Sequence, residues 1–104
     1  MTSKLVIRPR AVLDIDEQSL YIAASSEKSA RRFQVSAQLS MARLAESPDL
    51  GAQYDADAPQ LSGLRFWPIR GFPNHLICYR PIGGGVEILR IFHGARDMPS
   101  ALDN

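Results

Sequence analysis

Cysteine occurs once in these 104 residues, at Cys78, so an internal disulfide is excluded and nothing points to an oxidising compartment. Apolar runs are short. None approaches the roughly 18 residues that a membrane-spanning helix needs. The start, Met1 to Arg8, has no long apolar stretch behind its lysine, which argues against a signal peptide. The expectation is a soluble cytoplasmic protein with no membrane contact. Lysine is missing after Lys28, and tyrosine after Tyr79. Metal-ligand patterns are lacking too: there is no Cys-x-x-Cys, and His75 and His93 stand far apart without ligands spaced around them. The sequence therefore predicts neither a metal nor a cofactor. No serine or cysteine sits in a nucleophile elbow. Cys78, among Leu76, Ile77 and Tyr79, reads as a small buried hydrophobe. The triple glycine Gly83–Gly85 lacks the following Lys-Ser/Thr and helix of a phosphate loop.

What is present fits one globular domain over residues 1–104, since 45% of the residues are hydrophobic and this length buries a core without staples. Net charge is only +1, too little for a polyelectrolyte binder, and no direct nucleic-acid binding is expected. The distribution is uneven. From Leu61 to Arg96 there are five arginines, Arg65, Arg70, Arg80, Arg90 and Arg96, against the single acid Glu87. A basic second half of this kind fits an anionic partner, or acids of the first half.

Along the chain, Lys4 to Arg8 is a short β-type run closed by Pro9. A helix is predicted from Ala11 to about Ala24, with Ala11, Ile15, Ser19 and Ile22 on one stripe and Leu13 and Leu20 on its flank. Asp14, Asp16 and Glu17 fall in its first turns, where the helix dipole favours negative charge. Ser25-Ser26 breaks the helix with capping chemistry. A second helix, Glu27 to Glu46, carries two apolar stripes, one of Ala30, Phe33, Ala37, Met41 and Leu44, the other of Val35, Leu39 and Ala42. A helix apolar on two sides needs two neighbours, here the first helix and a sheet. After a polar loop from Gly51 to Ser62, strands are predicted over Leu64–Ile69, His75–Ile82 and Val86–His93, joined by glycine turns into an antiparallel meander. Strict alternation in the last strand puts Val86, Ile88, Arg90 and Phe92 on one face and Glu87, Leu89, Ile91 and His93 on the other. Neither face is cleanly polar, so one face takes the helical hairpin and the other points to a covering partner. The fold class is α+β: an N-terminal strand joins a sheet that carries a two-helix hairpin on one face.

One grouping has chemical potential. Cleaving RNA requires a base, an acid and cations for the phosphate. Histidine is the side-chain type suited to acid–base work at neutral pH, which makes His93 the candidate, and Arg65, Arg80 and Arg90 supply positive charge. Arginine is a poor proton donor, however, and the strand offers only Glu87 as a nearby acid.

The words Tyr21-Ile22-Ala23, Ala30-Arg31-Arg32-Phe33 and Leu44 to Gly51, then Gly71-Phe72-Pro73-Asn74-His75 and Val86 to Pro99, resemble the RelE/ParE superfamily over nearly the whole chain. The ending His93-Gly94-Ala95-Arg96-Asp97-Met98-Pro99 is similar to ParE-like toxins in particular. The resemblance implies the toxin of a type II toxin–antitoxin pair, of the kind associated with plasmid stabilisation. Its partner would be a ParD-like antitoxin whose C-terminal arm wraps the toxin in a hetero-oligomer. ParE-like members poison DNA gyrase by binding, without enzymatic chemistry. RelE-like members are ribosome-dependent mRNA endoribonucleases, and those usually carry lysines in the sheet and a late tyrosine, both missing here. A degenerate module that only binds its antitoxin is the third reading. Leu13, Leu20, Val35, Leu39, Arg65 and Arg80 are the candidate antitoxin contacts. Arg90, His93, Arg96, Asp97, Met98 and Leu102 are the candidate target contacts. For an RNase, the catalytic candidates are His93, Arg65, Arg80 and Arg90.

Overall fold

In the computed structural model, which describes residues 3–53 and 63–94, the order is β1 (Lys4–Ile7), α1 (Pro9–Ala23), α2 (Glu27–Glu46), β2 (Ala52–Gln53), β3 (Arg65–Ile69), β4 (Phe72–Ile82) and β5 (Gly85–His93). The strands form one five-stranded sheet in the order β1-β5-β4-β3-β2. β3, β4 and β5 are the antiparallel meander. β1 joins it parallel to β5, with Leu5 opposite Val86 and Ile7 opposite Ile88, so the sheet is mixed. β2, paired to the start of β3, lies inside the segment that reads as loop from sequence. Two residues are too few to give a period.

α1 starts two residues earlier than its hydrophobic stripe, because Pro9 takes the first helical turn, where its missing N–H costs nothing. That shift moves Asp14 out of the first turn, which holds no acid. Instead of serving the helix dipole, Asp14 turns inward and is buried. α2 begins at the predicted cap, with the Ser26 hydroxyl accepting from the Ser29 N–H at 3.1 Å. Such a cap is worth about 1 kcal/mol.

Both helices pack on one face of the sheet. Phe33, Ala37, Met41 and Leu44 of α2 and Ala11 of α1 meet Ile69, Ile77, Tyr79, Val86, Ile88 and Ile91. Only one stripe of α2 finds neighbours. Val35 (56% exposed) and Leu39 (67%) face outward, against the expectation that both stripes would be covered.

β5 departs from simple alternation. Tyr79 pairs with Ile88 but Cys78 with Arg90, so Leu89 is an extra residue bulged out of the ladder. Beyond it the faces exchange. Ile91 and His93 join Val86 and Ile88 towards the helices, while Arg90 and Phe92 join Glu87 on the far side. The strict alternation read from sequence fails at this bulge. The far side is also less open than the sequence implied, since Cys78 and Phe92 on it are each 2% exposed. Burial pushes the Cys78 thiol up to about 12, partly offset by the Arg90 charge, so it stays protonated.

β1 covers β5 only as far as Ile88. Past that point α1 takes the place of a strand. The Asp14 carboxylate accepts from the Ile91 N–H at 2.9 Å, and the Gln18 amide donates to the Ile91 carbonyl at 2.8 Å. Four residues apart on a helix, the two side chains stand one above the other and reach one strand residue. Among the described residues, no buried side-chain nitrogen or oxygen lacks a hydrogen-bond partner, and no helix is long and apolar enough to cross a membrane.

Candidate interaction surfaces

The exposed large hydrophobics concentrate on the helical hairpin. On α1 they are Val12 (45%), Leu13 (51%), Leu20 (73%) and Tyr21 (72%); on α2 they are Val35 and Leu39. The four hydrophobic antitoxin candidates are thus all on the outer surface of the hairpin. Sequence periodicity gave no reason to add Val12 and Tyr21. Apolar residues exposed to this degree each forgo roughly 1.5–3 kcal/mol of possible burial.

Two grooves border these residues. One, of about 640 Å³, runs between α2 and β3 and is lined by Ser36, Leu39, Arg43, Glu46, Trp67 and Pro68 among others. Its floor is fixed because the Ser36 hydroxyl donates to the Arg70 carbonyl and the Ser40 hydroxyl accepts from the Arg70 N–H. The other, of about 340 Å³, lies among Ile7, Val12, Ile15, Asp16, Gln34 and Met41. Trp67 could not be assigned to a groove from sequence, because its other wall is thirty residues away on α2.

The arginines have structural partners. Arg65 donates to the Gly51 carbonyl at 2.7 Å and lies 3.7 Å from the Asp49 carboxylate, and its side chain is 19% exposed. Beside it, the Tyr79 hydroxyl donates to the Pro48 carbonyl at 2.7 Å and accepts from the Gly51 N–H at 2.8 Å. Together these clasp the chain after α2 to the sheet. Burial raises the Tyr79 pKa, so the hydroxyl keeps its proton for that bond. Arg80 and Arg8 share one carboxylate, at 2.7 Å from Glu87 Oε1 and 3.0 Å from Glu87 Oε2. The hydrogen bonds from Arg8 and then Arg80 hold Glu87 below the usual carboxylate range. Arg90 and Arg10 likewise share Asp14, at 2.8 and 3.4 Å. Arg90 also lies over the Phe92 ring, 5.0 Å from its centre.

His93 stacks on His75, with ring centres 4.5 Å apart and planes 9° from parallel. Tyr21 flanks His93, and Phe33 and Phe72 flank His75. Since Gln18 spends its amide nitrogen on Ile91, its oxygen faces His75 Nδ1 at 2.8 Å, and that nitrogen must carry the proton. Burial, then the neighbouring His93, lowers the His75 pKa to about 4, so the ring is neutral. The pair was invisible in sequence, because the bulge in β5 sets the register that opposes the two rings.

The four residues of the RNase grouping are not brought together. His93 closes one end of β5, whereas Arg80 sits opposite Glu87, six residues back and roughly 20 Å along the strand. Arg65 is opposite Tyr79 on β3. Of the candidate target contacts, Arg90 lies against α1 and His93 against His75, while Arg96, Asp97, Met98 and Leu102 fall outside the described residues. Among the described residues, no three of His, Cys, Asp and Glu converge on a point where a metal could bind.

Among proteins of curated function none matches. Among solved structures, one described as the chromosomal ParDE TA system from P. aeruginosa is similar in fold, with a TM-score of 0.70. It is 20% identical and covers 89% of this chain, with 97% of its own length matched. The family model for the ParE toxin of the type II toxin–antitoxin system parDE matches residues 5–98, the whole strand, hairpin and meander frame described above. The chain belongs to the ParE toxin family.

Proposed function

We propose that this protein is a cytoplasmic toxin that poisons DNA gyrase by binding it, and that a cognate ParD-like antitoxin keeps it inactive. The observation that carries the antitoxin half is the unpartnered apolar surface of the helical hairpin, Leu13, Leu20, Val35 and Leu39, on a chain of a toxin–antitoxin family. An antitoxin arm that folds on binding must bury a large apolar area to offset its ordering entropy, and this surface with the α2–β3 groove offers one. Acidic antitoxin side chains would meet Arg80, half exposed, more readily than Arg65, which is held in the clasp.

A binding mechanism is favoured over RNA cleavage because Arg80 and Arg65, two cations of that grouping, lie along the sheet away from His93. His93 and the tail from Arg90 to Leu102 are the proposed gyrase contact. The test pairs a gyrase supercoiling assay with mRNA cleavage on purified ribosomes. Inhibition of supercoiling, relieved by the antitoxin, is the expected result. Transcript cleavage with supercoiling untouched would establish the ribonuclease instead. Growth arrest on expression without the antitoxin separates both from a non-toxic module. His93→Gln should keep most toxicity, whereas an RNase would lose on the order of a hundredfold in rate with its acid–base group. Truncation after Arg96 should abolish toxicity.

A further inference from the structure

Two carboxylates on the β1–β5 side of the sheet are each shared by two arginines. Glu87 bridges Arg8 and Arg80, and Asp14 bridges Arg10 and Arg90. A guanidinium carries five N–H donors and spends one or two on such a bridge. The side chains of Arg8, Arg10 and Arg80 are each about half exposed, and that of Arg90 is about a third exposed, so each keeps solvent-facing surface. Lys4, exposed and paired in register with Gly85, shares the far face of β1 with Val6, and Arg8, just past the strand, reaches Glu87 on that face. Among the described residues, this group of five cations has two bridging acids, Glu87 and Asp14, in a protein whose net charge is +1.

The surface is chemically unlike the hairpin. Protein–protein interfaces have an apolar core, and the hairpin offers Leu13, Leu20, Val35 and Leu39 for one. Interfaces with nucleic acid are polar, positively charged and built on phosphate contacts from arginine and lysine. Here each shared carboxylate keeps two guanidinia side by side and competes with an incoming phosphate for their donors.

We propose that this arginine ledge, Arg8, Arg10, Arg80 and Arg90 with Lys4, binds the phosphodiester backbone of duplex DNA without reading its sequence. This departs from the sequence expectation of no nucleic-acid contact. It rests on the gyrase reading only for where DNA is met, since gyrase brings its own DNA to any protein bound to it. An acidic antitoxin segment over Arg80 would screen the ledge, so DNA contact belongs to the free toxin.

The test uses full-length toxin without gyrase and a labelled 30-base-pair duplex, read by fluorescence anisotropy. With about four phosphate contacts the log–log salt slope should be about −3.6, a loss of roughly a hundredfold between 50 and 200 mM salt. Arg8→Gln with Arg80→Gln should reduce that slope by about 2. Glu87→Gln, which removes the competing carboxylate, should tighten binding, and this gain cannot come from a damaged fold. Melting curves of each variant check that the fold is kept. No binding at 50 mM salt, or binding unchanged in all three substitutions, overturns the proposal. Preference for polyglutamate over the duplex overturns it in favour of an acidic protein ligand. Supercoiling inhibition that persists without duplex binding sinks the ledge alone; duplex binding without inhibition sinks the gyrase reading alone.

Discussion

Single side chains hold this fold at places where the sequence shows only a residue type. Tyr79 is read from sequence as a strand aromatic, yet its hydroxyl ties Pro48 and Gly51 to the sheet. Tyr79→Phe leaves the buried Gly51 N–H without its partner and should cost about 1–3 kcal/mol, measured by urea unfolding. An unchanged midpoint would mean that water replaces the hydroxyl. His75 gives a pH signature. Its folded pKa, about 4, lies below the unfolded value near 6.5. The unfolded chain therefore takes up a proton first as pH falls. The stability this neutral ring contributes is complete above pH 6.5 and is lost progressively between 6.5 and 4. Melting temperatures of the wild type should fall across that window more steeply than those of His75→Gln. Parallel curves would show that the stacked pair carries no proton linkage. Neither role was readable beforehand, because each depends on a partner 18 to 57 residues away.

At the scale of elements, local pattern decided what formed and long-range geometry decided how it was used. α2 matches its predicted limits because serine capping and 3.6-residue periodicity are local signals. β2 and the bulge at Leu89 are not local. One is a two-residue pairing, and the other exists only because the paired stretches His75–Ile82 and Gly85–His93 differ by one residue. The parallel seat of β1 depends on Gly85, where an added Cβ would stand 1.8 Å from the Lys4 carbonyl oxygen. Gly85→Ala should therefore push β1 off the sheet. A cost of about 1–3 kcal/mol is expected, with hydrogen exchange in Lys4–Ile7 rising more than in β3. Uniform protection in both strands would contradict this. The substitute strand made by α1 is more demanding. Asp14→Ala removes the acceptor for the Ile91 N–H and the carboxylate shared by Arg10 and Arg90. A loss of about 3 kcal/mol is expected from unpairing so buried a group. Asp14→Asn, which can still accept from Ile91, should recover part of it in the same unfolding experiment.

At the scale of the molecule, large exposed hydrophobics gather on the hairpin and Lys4, Arg8 and Arg80 at the β1–β5 side of the sheet, which makes a prediction separable from stability. Sequence periodicity assigned Leu20 and Leu39 to the flank and to the second stripe of their helices, and both remain exposed, at 73% and 67%. The stripe of Val35 and Leu39, named from sequence as antitoxin contacts, is the one left bare, because one helix and one sheet supply only one packed side. Replacing a residue already in water leaves no cavity, so Leu20→Ser with Leu39→Ser should change stability by no more than about 0.5 kcal/mol. The same pair should weaken the antitoxin complex if the arm buries them. At roughly 1.5–3 kcal/mol per buried leucine, the loss is on the order of a hundredfold or more in affinity. Titration calorimetry against the purified antitoxin measures it, and an unchanged melting temperature of the free toxin shows that the fold is intact. Supercoiling inhibition by this variant should persist and become harder for the antitoxin to relieve, because the hairpin is not the proposed gyrase contact. Undiminished antitoxin affinity would move the interface away from the hairpin, whatever the target proves to be.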